Sequence, residues 1–267
     1  MWAIACAVLA GVFAFALAPT LRVPGLLRTN FAGRDVPTAG GICLLLAFAV
    51  VVAAAVAWNP LRNDYLTPQV VLLAVGFGVL GLFDDIVGTH MARGWRGHIQ
   101  ALRHGQLTSG LVKLGGGLTL AWIVTYPFGQ DFVQRAVCVV IVAGCANVAN
   151  LLDLAPARTT KVAVLVMFVA AVTRGGIYEG HSANWFVAGA LGLAPFELRE
   201  VLMLGDTGAN ALGAVVGYEL LFTSHAVRLL IALAVVGVNV AGELVSFSAL
   251  IDRVGPLRAL DRLGRRS

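Results

Sequence analysis

The chain has 267 residues, of which 59% are hydrophobic and only 12% charged, with a formal net charge of +5 and a mean hydropathy of +0.86. Soluble globular domains carry about 25% charged residues, so this composition excludes a soluble enzyme and leaves no room for a separate soluble domain. The positive balance reads as a membrane-orientation signal, and nucleic-acid binding is not needed to explain it.

A bilayer core takes roughly 20 apolar residues per helix. About nine runs qualify in chain order: 2–20, 39–58, 68–83, 110–127, 132–152, 162–173, 185–203, 209–222 and 226–244. Runs six and eight are short, and run seven carries Glu197, Arg199 and Glu200 near its end. Uninterrupted apolar runs do not fit the alternating pattern of a membrane barrel, so the expected fold is all-α, a polytopic helical bundle. Residues 1–20 lack a basic leading region and form a 19-residue run, so they read as a span rather than a cleaved signal. Glu219, within run eight, is expected to face the bundle or to be protonated. The four cysteines, Cys6, Cys43, Cys138 and Cys145, fall inside runs without metal-ligand spacing and read as small core residues. Residues 246–267 alternate Leu and Arg and predict an amphipathic helix on the membrane surface, interrupted at Gly255-Pro256. The chain thus divides into a transmembrane domain, 1–245, and a tail, 246–267.

Orientation follows from the cations. Loops after odd-numbered runs, together with the tail, hold fifteen of the nineteen Lys and Arg residues; the other loops hold Arg62, Arg135, Arg174 and Arg228. This bias predicts a cytoplasmic C-terminus and an N-terminus outside.

Four segments then share the cytoplasmic side. The first, Arg34 to Gly41, contains Val36-Pro37-Thr38-Ala39-Gly40-Gly41; a proline-fixed helix entry with close glycine packing accounts for it without chemistry. The second is Phe83-Asp84-Asp85, followed by Arg96-Gly97-His98. Acids at a helix C-terminus oppose the helix dipole, so this pair needs a compensating positive partner. The third, Asn147-Val148-Ala149-Asn150-Leu151-Leu152-Asp153, puts three polar residues at helical spacing, although interhelical hydrogen bonding explains either Asn alone. The fourth is Gly205-Asp206-Thr207-Gly208, in the loop after run seven; its glycines let backbone amides approach an anion while Asp206 holds a metal. Lys113 opens run four, either as a point charge for phosphate or as a snorkelling interfacial lysine. Carboxylates gathered at a membrane surface point to a divalent cation and a phosphate-bearing substrate.

In their order and spacing, these segments resemble the polyprenyl-phosphate N-acetylhexosamine-1-phosphate transferase superfamily over about residues 20–220. Members include phospho-N-acetylmuramoyl-pentapeptide transferase and the UDP-N-acetylglucosamine–undecaprenyl-phosphate transferases. The resemblance implies an enzyme of a bacterial plasma membrane, with its site facing the cytoplasm. A polyprenyl phosphate would displace UMP from a UDP-sugar, with Mg²⁺ (or Mn²⁺) as cofactor, in cell-envelope glycan synthesis. It implies Asp206 as metal ligand and Asp84, Asp85 and Asp153 as catalytic acids. Asn147, Asn150, Lys113, Gly205 and Thr207 would bind substrate. The implied partners are polyprenyl phosphate, a nucleotide-sugar and the bilayer; a homodimer is allowed. The alternative is a non-catalytic homologue that binds polyprenyl phosphate or a partner enzyme.

Two departures bear on the sugar-nucleotide half. The family pattern continues the third motif as Asp-Gly-x-Asp-Gly-Leu, whereas Asp153 is followed by Leu154-Ala155-Pro156-Ala157-Arg158. This loses an acid and adds a cation. The family's late His-rich loop also has no counterpart: the histidines are His90, His98, His104, His181 and His225.

Overall fold

A computed structural model describes residues 1–29, 33–38, 40–58, 66–88, 101, 103–106, 108–129, 131–174, 176 and 181–265. Ala39 and the Arg96-Gly97-His98 segment lie outside the described residues. The fold is all-α, with eleven helices among the described residues. These are α1 (Trp2–Leu17), α2 (Gly41–Trp58), α3 (Pro68–Val87), α4 (Ser109–Val124), α5 (Phe132–Leu152), α6 (Arg158–Thr173), α7 (Ser182–Leu198), α8 (Gly205–Glu219), α9 (His225–Leu244), α10 (Phe247–Arg253) and α11 (Gly255–Arg262). One short antiparallel pair joins β1 (Leu27–Thr29) to β2 (Asp35–Pro37), with Arg28 opposite Val36.

Four helices, α2, α3, α5 and α9, are long and apolar enough to cross a membrane; α1 and α4 are shorter apolar helices. Their lipid-like exterior is plain from Val8, Phe15, Val50, Val79 and Leu233, all exposed. In water such a surface would drive association; in lipid it is the matching solvent.

The predicted run 209–222 proves to be the centre of the bundle. Helix α8 packs against α3 and α5, and also against α2, α6 and α7. All its residues except Asp206 are buried. That environment explains its modest hydropathy. A helix enclosed on every side needs small residues for close approach more than large apolar ones. Gly213 faces the Cys145 carbonyl and Ala149, and Gly217 faces Val142. Helix α9 is the opposite case: Ala232 is its one buried residue, and it lies on the outside of α5.

Asp206, expected in a loop, sits in the first turn of α8. Helix α6 begins at Arg158, four residues before the predicted run, and α7 ends at Leu198, five before its predicted end. The tail forms two short helices broken at Val254, with Gly255-Pro256 opening the second.

Candidate functional site

Helices α3 and α5 end where α8 begins, and this junction gathers the acids. Segment 37–41 fixes the start of α8 through its backbone. Met203 N–H donates to the Pro37 carbonyl at 2.8 Å, while the Gly40 and Gly41 amides donate to the Met203 and Leu204 carbonyls, each at 2.9 Å. The glycines here are spacers. A Cβ on Gly41 would lie 2.1 Å from the Gly208 nitrogen, and one on Gly81 would lie 2.2 Å from the Asp206 carbonyl oxygen. Gly205 has φ +66°, and a Cβ there would fall 1.3 Å from the Thr38 carbonyl oxygen. Only glycine fits that close approach and that backbone region.

The electrostatic objection to two acids at the end of α3 is answered by α8. The Asp85 carboxylate accepts from the Asp206 amide at 3.1 Å, the Thr207 amide at 2.9 Å and the Thr207 hydroxyl at 2.6 Å. Asp153, which caps α5, accepts from the Gly205 amide at 2.8 Å. Both acids therefore meet the positive end of the α8 dipole, whose free amides they satisfy. Arg28 adds a bond to the Asp85 carbonyl oxygen at 3.2 Å.

Asp84 and Asp206 are turned the other way and are joined by Lys113. The Lys113 ammonium donates to Asp84 Oδ2 at 2.7 Å and also to Asp206 Oδ2. Asn150 Nδ2 reaches Asp206 Oδ2 at 3.3 Å. These three charged side chains keep 18–23% of their surface exposed, enough for a solute to reach them.

The expected substrate-binding residues separate on this geometry. Lys113 and Asn150 are at the cluster. Thr207 is fully buried and its hydroxyl serves Asp85. The Gly205 amide is engaged by Asp153, so it does not point at an anion from outside. Asn147 is drawn away altogether, because its Nδ2 donates to Asn239 Oδ1 on α9 at 2.6 Å. Residues 147 and 150 differ by about 60° around a helix, which suffices to place them on different neighbours. The polar pairing explains Asn147 without chemistry.

Two residues were missed in the sequence. Glu197, 1% exposed on α7, accepts from the Thr160 hydroxyl at 3.1 Å and lies near Asp153. A carboxylate in an apolar run with Pro195 in the same helix was the available signal. Asn239 was hidden as a single polar residue in an otherwise apolar run. Burial pushes the Asp153 carboxyl well above the usual carboxylate range; the Glu197 and Asp206 charges push the same way, against the Gly205 amide. Its Oδ1 is buried without a hydrogen-bond partner.

For a divalent cation, the donors fit in kind: Asp84, Asp206 and Asn150 offer hard oxygen atoms, and Asp153 Oδ1 is unsatisfied. Among the described residues, no group of three or more His, Cys, Asp or Glu side chains is arranged to hold a metal. Lys113 supplies the positive charge between Asp84 and Asp206, while Asp85 and Asp153 face amides. Glu219 lies at the other end of α8, paired with Arg174 at 3.0 Å and with His181 Nδ1 3.7 Å away. Fifteen helical residues separate that end from the acids by about 20 Å. No protein-family model matches the chain.

Proposed function

We propose that the chain is a membrane-embedded phosphotransferase that moves a sugar-1-phosphate from a UDP-sugar to a polyprenyl phosphate and releases UMP. The observation that carries this reading is the Asp84–Lys113–Asp206 arrangement, joined by Asn150, at one end of a bundle of apolar helices. An acceptor with an apolar tail and an anionic head suits a site at the junction of lipid-facing helices and charged side chains. Membership of the superfamily resembled in sequence, nine spans, an outside N-terminus and a cytoplasmic site in a bacterial plasma membrane belong to the same proposal.

Asp206, with Asn150, would hold Mg²⁺, which when bound neutralises phosphate charge and makes phosphorus easier to attack. The chain's own groups do the rest. Lys113, released from one carboxylate, holds a phosphate oxygen as a point charge. Asp84 accepts the proton of the lipid phosphate or keeps that phosphate in line. Asp85 and Asp153 hold α8, and therefore Asp206, in place. Phosphoryl transfer depends mainly on such positioning and charge stabilisation.

The test is UMP release by purified protein with undecaprenyl phosphate, Mg²⁺ and a panel of UDP-N-acetylhexosamines. Lipid-dependent release is expected. A second reading, a non-catalytic binder of polyprenyl phosphate, is favoured by the way Lys113 already satisfies both carboxylates. It predicts lipid-phosphate binding and silence across the panel.

A further inference from the structure

Where the third motif loses an acid and gains Arg158, the structure supplies that arginine with a partner from the far end of the chain. Arg158 is 5% exposed, at the first position of α6. Its Nε donates to Asp261 Oδ1 at 2.8 Å, its Nη2 to Asp261 Oδ2 at 3.1 Å and its Nη1 to Ser248 Oγ at 3.1 Å. Asp261 belongs to α11 and Ser248 to α10, so these side-chain bonds all go to the tail. Two further cations close on the same residue. Lys161 Nζ donates to the Asp261 carbonyl oxygen at 2.8 Å, and Arg265 Nη2 lies 2.6 Å from Asp261 Oδ2. Two other acids bear on these cations: Glu197, which also accepts from Thr160, acts on Lys161, and Asp252, 3.6 Å from Arg262, acts on Arg265.

We propose that Arg158, Lys161 and Arg265 form a phosphate-binding socket a few residues beyond Asp153, and that Asp261 occupies it as an internal anion. Two of these cations meet the Asp261 carboxylate and the third meets its backbone carbonyl, so a phosphate, with more acceptor oxygens than a carboxylate, can engage all three. The planar Arg158 fork, now engaged by both Asp261 oxygens, fits two phosphate oxygens equally well. While Asp261 is ionised, an anion that engages Arg158 must displace it, because the same guanidinium nitrogens hold both. Binding and tail release are then one event. The proposal does not rest on the transferase reading, because the socket requires only a phosphate group, whether of a soluble ligand or of a lipid headgroup.

The experiment uses the full chain in nanodiscs, with a nitroxide at Leu257→Cys, an exposed tail position, and unsubstituted protein labelled alongside. In phosphatidylcholine, pyrophosphate is expected to convert a slow spectrum into a mobile one. Asp261→Asn should be mobile without ligand and should bind pyrophosphate at least tenfold more tightly in equilibrium dialysis. Lys161→Gln, which keeps the Arg158–Asp261 pair, should bind pyrophosphate several-fold more weakly with the tail still seated. Mobilisation by phosphatidylglycerol in the absence of pyrophosphate, lost in Arg158→Gln, assigns the phosphate to a lipid. The proposal is overturned if neither phosphate source mobilises the tail, or if Asp261→Asn fails to tighten pyrophosphate binding.

Discussion

Lys113 is the residue on which the carboxylate end balances. It stands between two partly exposed carboxylates, and removing it leaves Asp84 and Asp206 without their common cation. Lys113→Met is expected to cost about 1–3 kcal/mol, less than a fully buried pair because all three side chains retain some exposure. Added Mg²⁺ should raise the melting temperature of that variant more than that of the parent protein. A melting curve unchanged by the substitution would mean that the two acids do not depend on the lysine. Ala157 makes a separate case. It is a non-glycine residue in the left-handed region, with φ +54°, at the turn that leads from Asp153 into Arg158. Ala157→Gly should stabilise the protein by about 1 kcal/mol in denaturant unfolding, since the left-handed conformation is costly for alanine and free for glycine. The same shift would be missing if the turn did not hold its conformation in the folded protein.

At the level of elements, α8 sets the geometry. Its N-terminal amides hold Asp85 and Asp153, and its first turn presents Asp206. Gly81 lets α3 approach to contact distance of that turn. Gly81→Ala is therefore expected to destabilise by about 1–3 kcal/mol through overpacking and to weaken the cluster by moving Asp206. Helix α9 is held differently, by the Asn147–Asn239 pair, with Asn239 also donating to the Gly144 carbonyl at 3.2 Å. A double-mutant cycle with Asn147→Leu and Asn239→Leu should return a coupling of about 0.6–2 kcal/mol. Additive effects would show that the two amides do not meet. The stripe 147, 150, 153 was visible in the sequence, but not which neighbour each amide would face. That depends on α9, whose single Asn239 offers no periodic signal. The long apolar helices α2, α3, α5 and α9 could be read from hydropathy because each presents a broad face to lipid. Helix α8 was blurred because enclosure selects Gly and Ala, so its run was displaced by four residues and Asp206 was assigned to a loop.

Across the whole molecule, acids and glycines far apart in sequence meet at one end of the bundle, while the tail returns to lie on the start of α6. The amphipathic pattern of 246–267 was legible as alternating Leu and Arg. The anchor was not, because nothing local distinguishes Asp261 from Asp252 among the tail's arginines until Arg158 is found beside it. Burial alone would raise the Asp261 carboxyl, but the hydrogen bonds and charge of Arg158 outweigh it and hold it below the ordinary carboxylate range. A depressed value in the folded state means that the latch contributes in full above the unfolded value of about 4 and is lost as pH falls through the lower folded value. Tail mobility should therefore be unchanged from neutral pH down to about 4 and rise only below it. Release at mildly acidic pH would contradict the Arg158–Asp261 anchor.

On the proposed reading, chemistry is carried by the Asp84–Lys113–Asp206 cluster and not by the whole polar stripe. The most direct test is UMP release by Asp206→Asn beside Asn147→Leu, with folding of each checked by its melting curve. Asp206→Asn is expected to lose on the order of 10²-fold or more in rate while remaining folded, and Asn147→Leu to keep most of its turnover. Retained turnover in Asp206→Asn, or an equal loss in folded Asn147→Leu, would contradict the account.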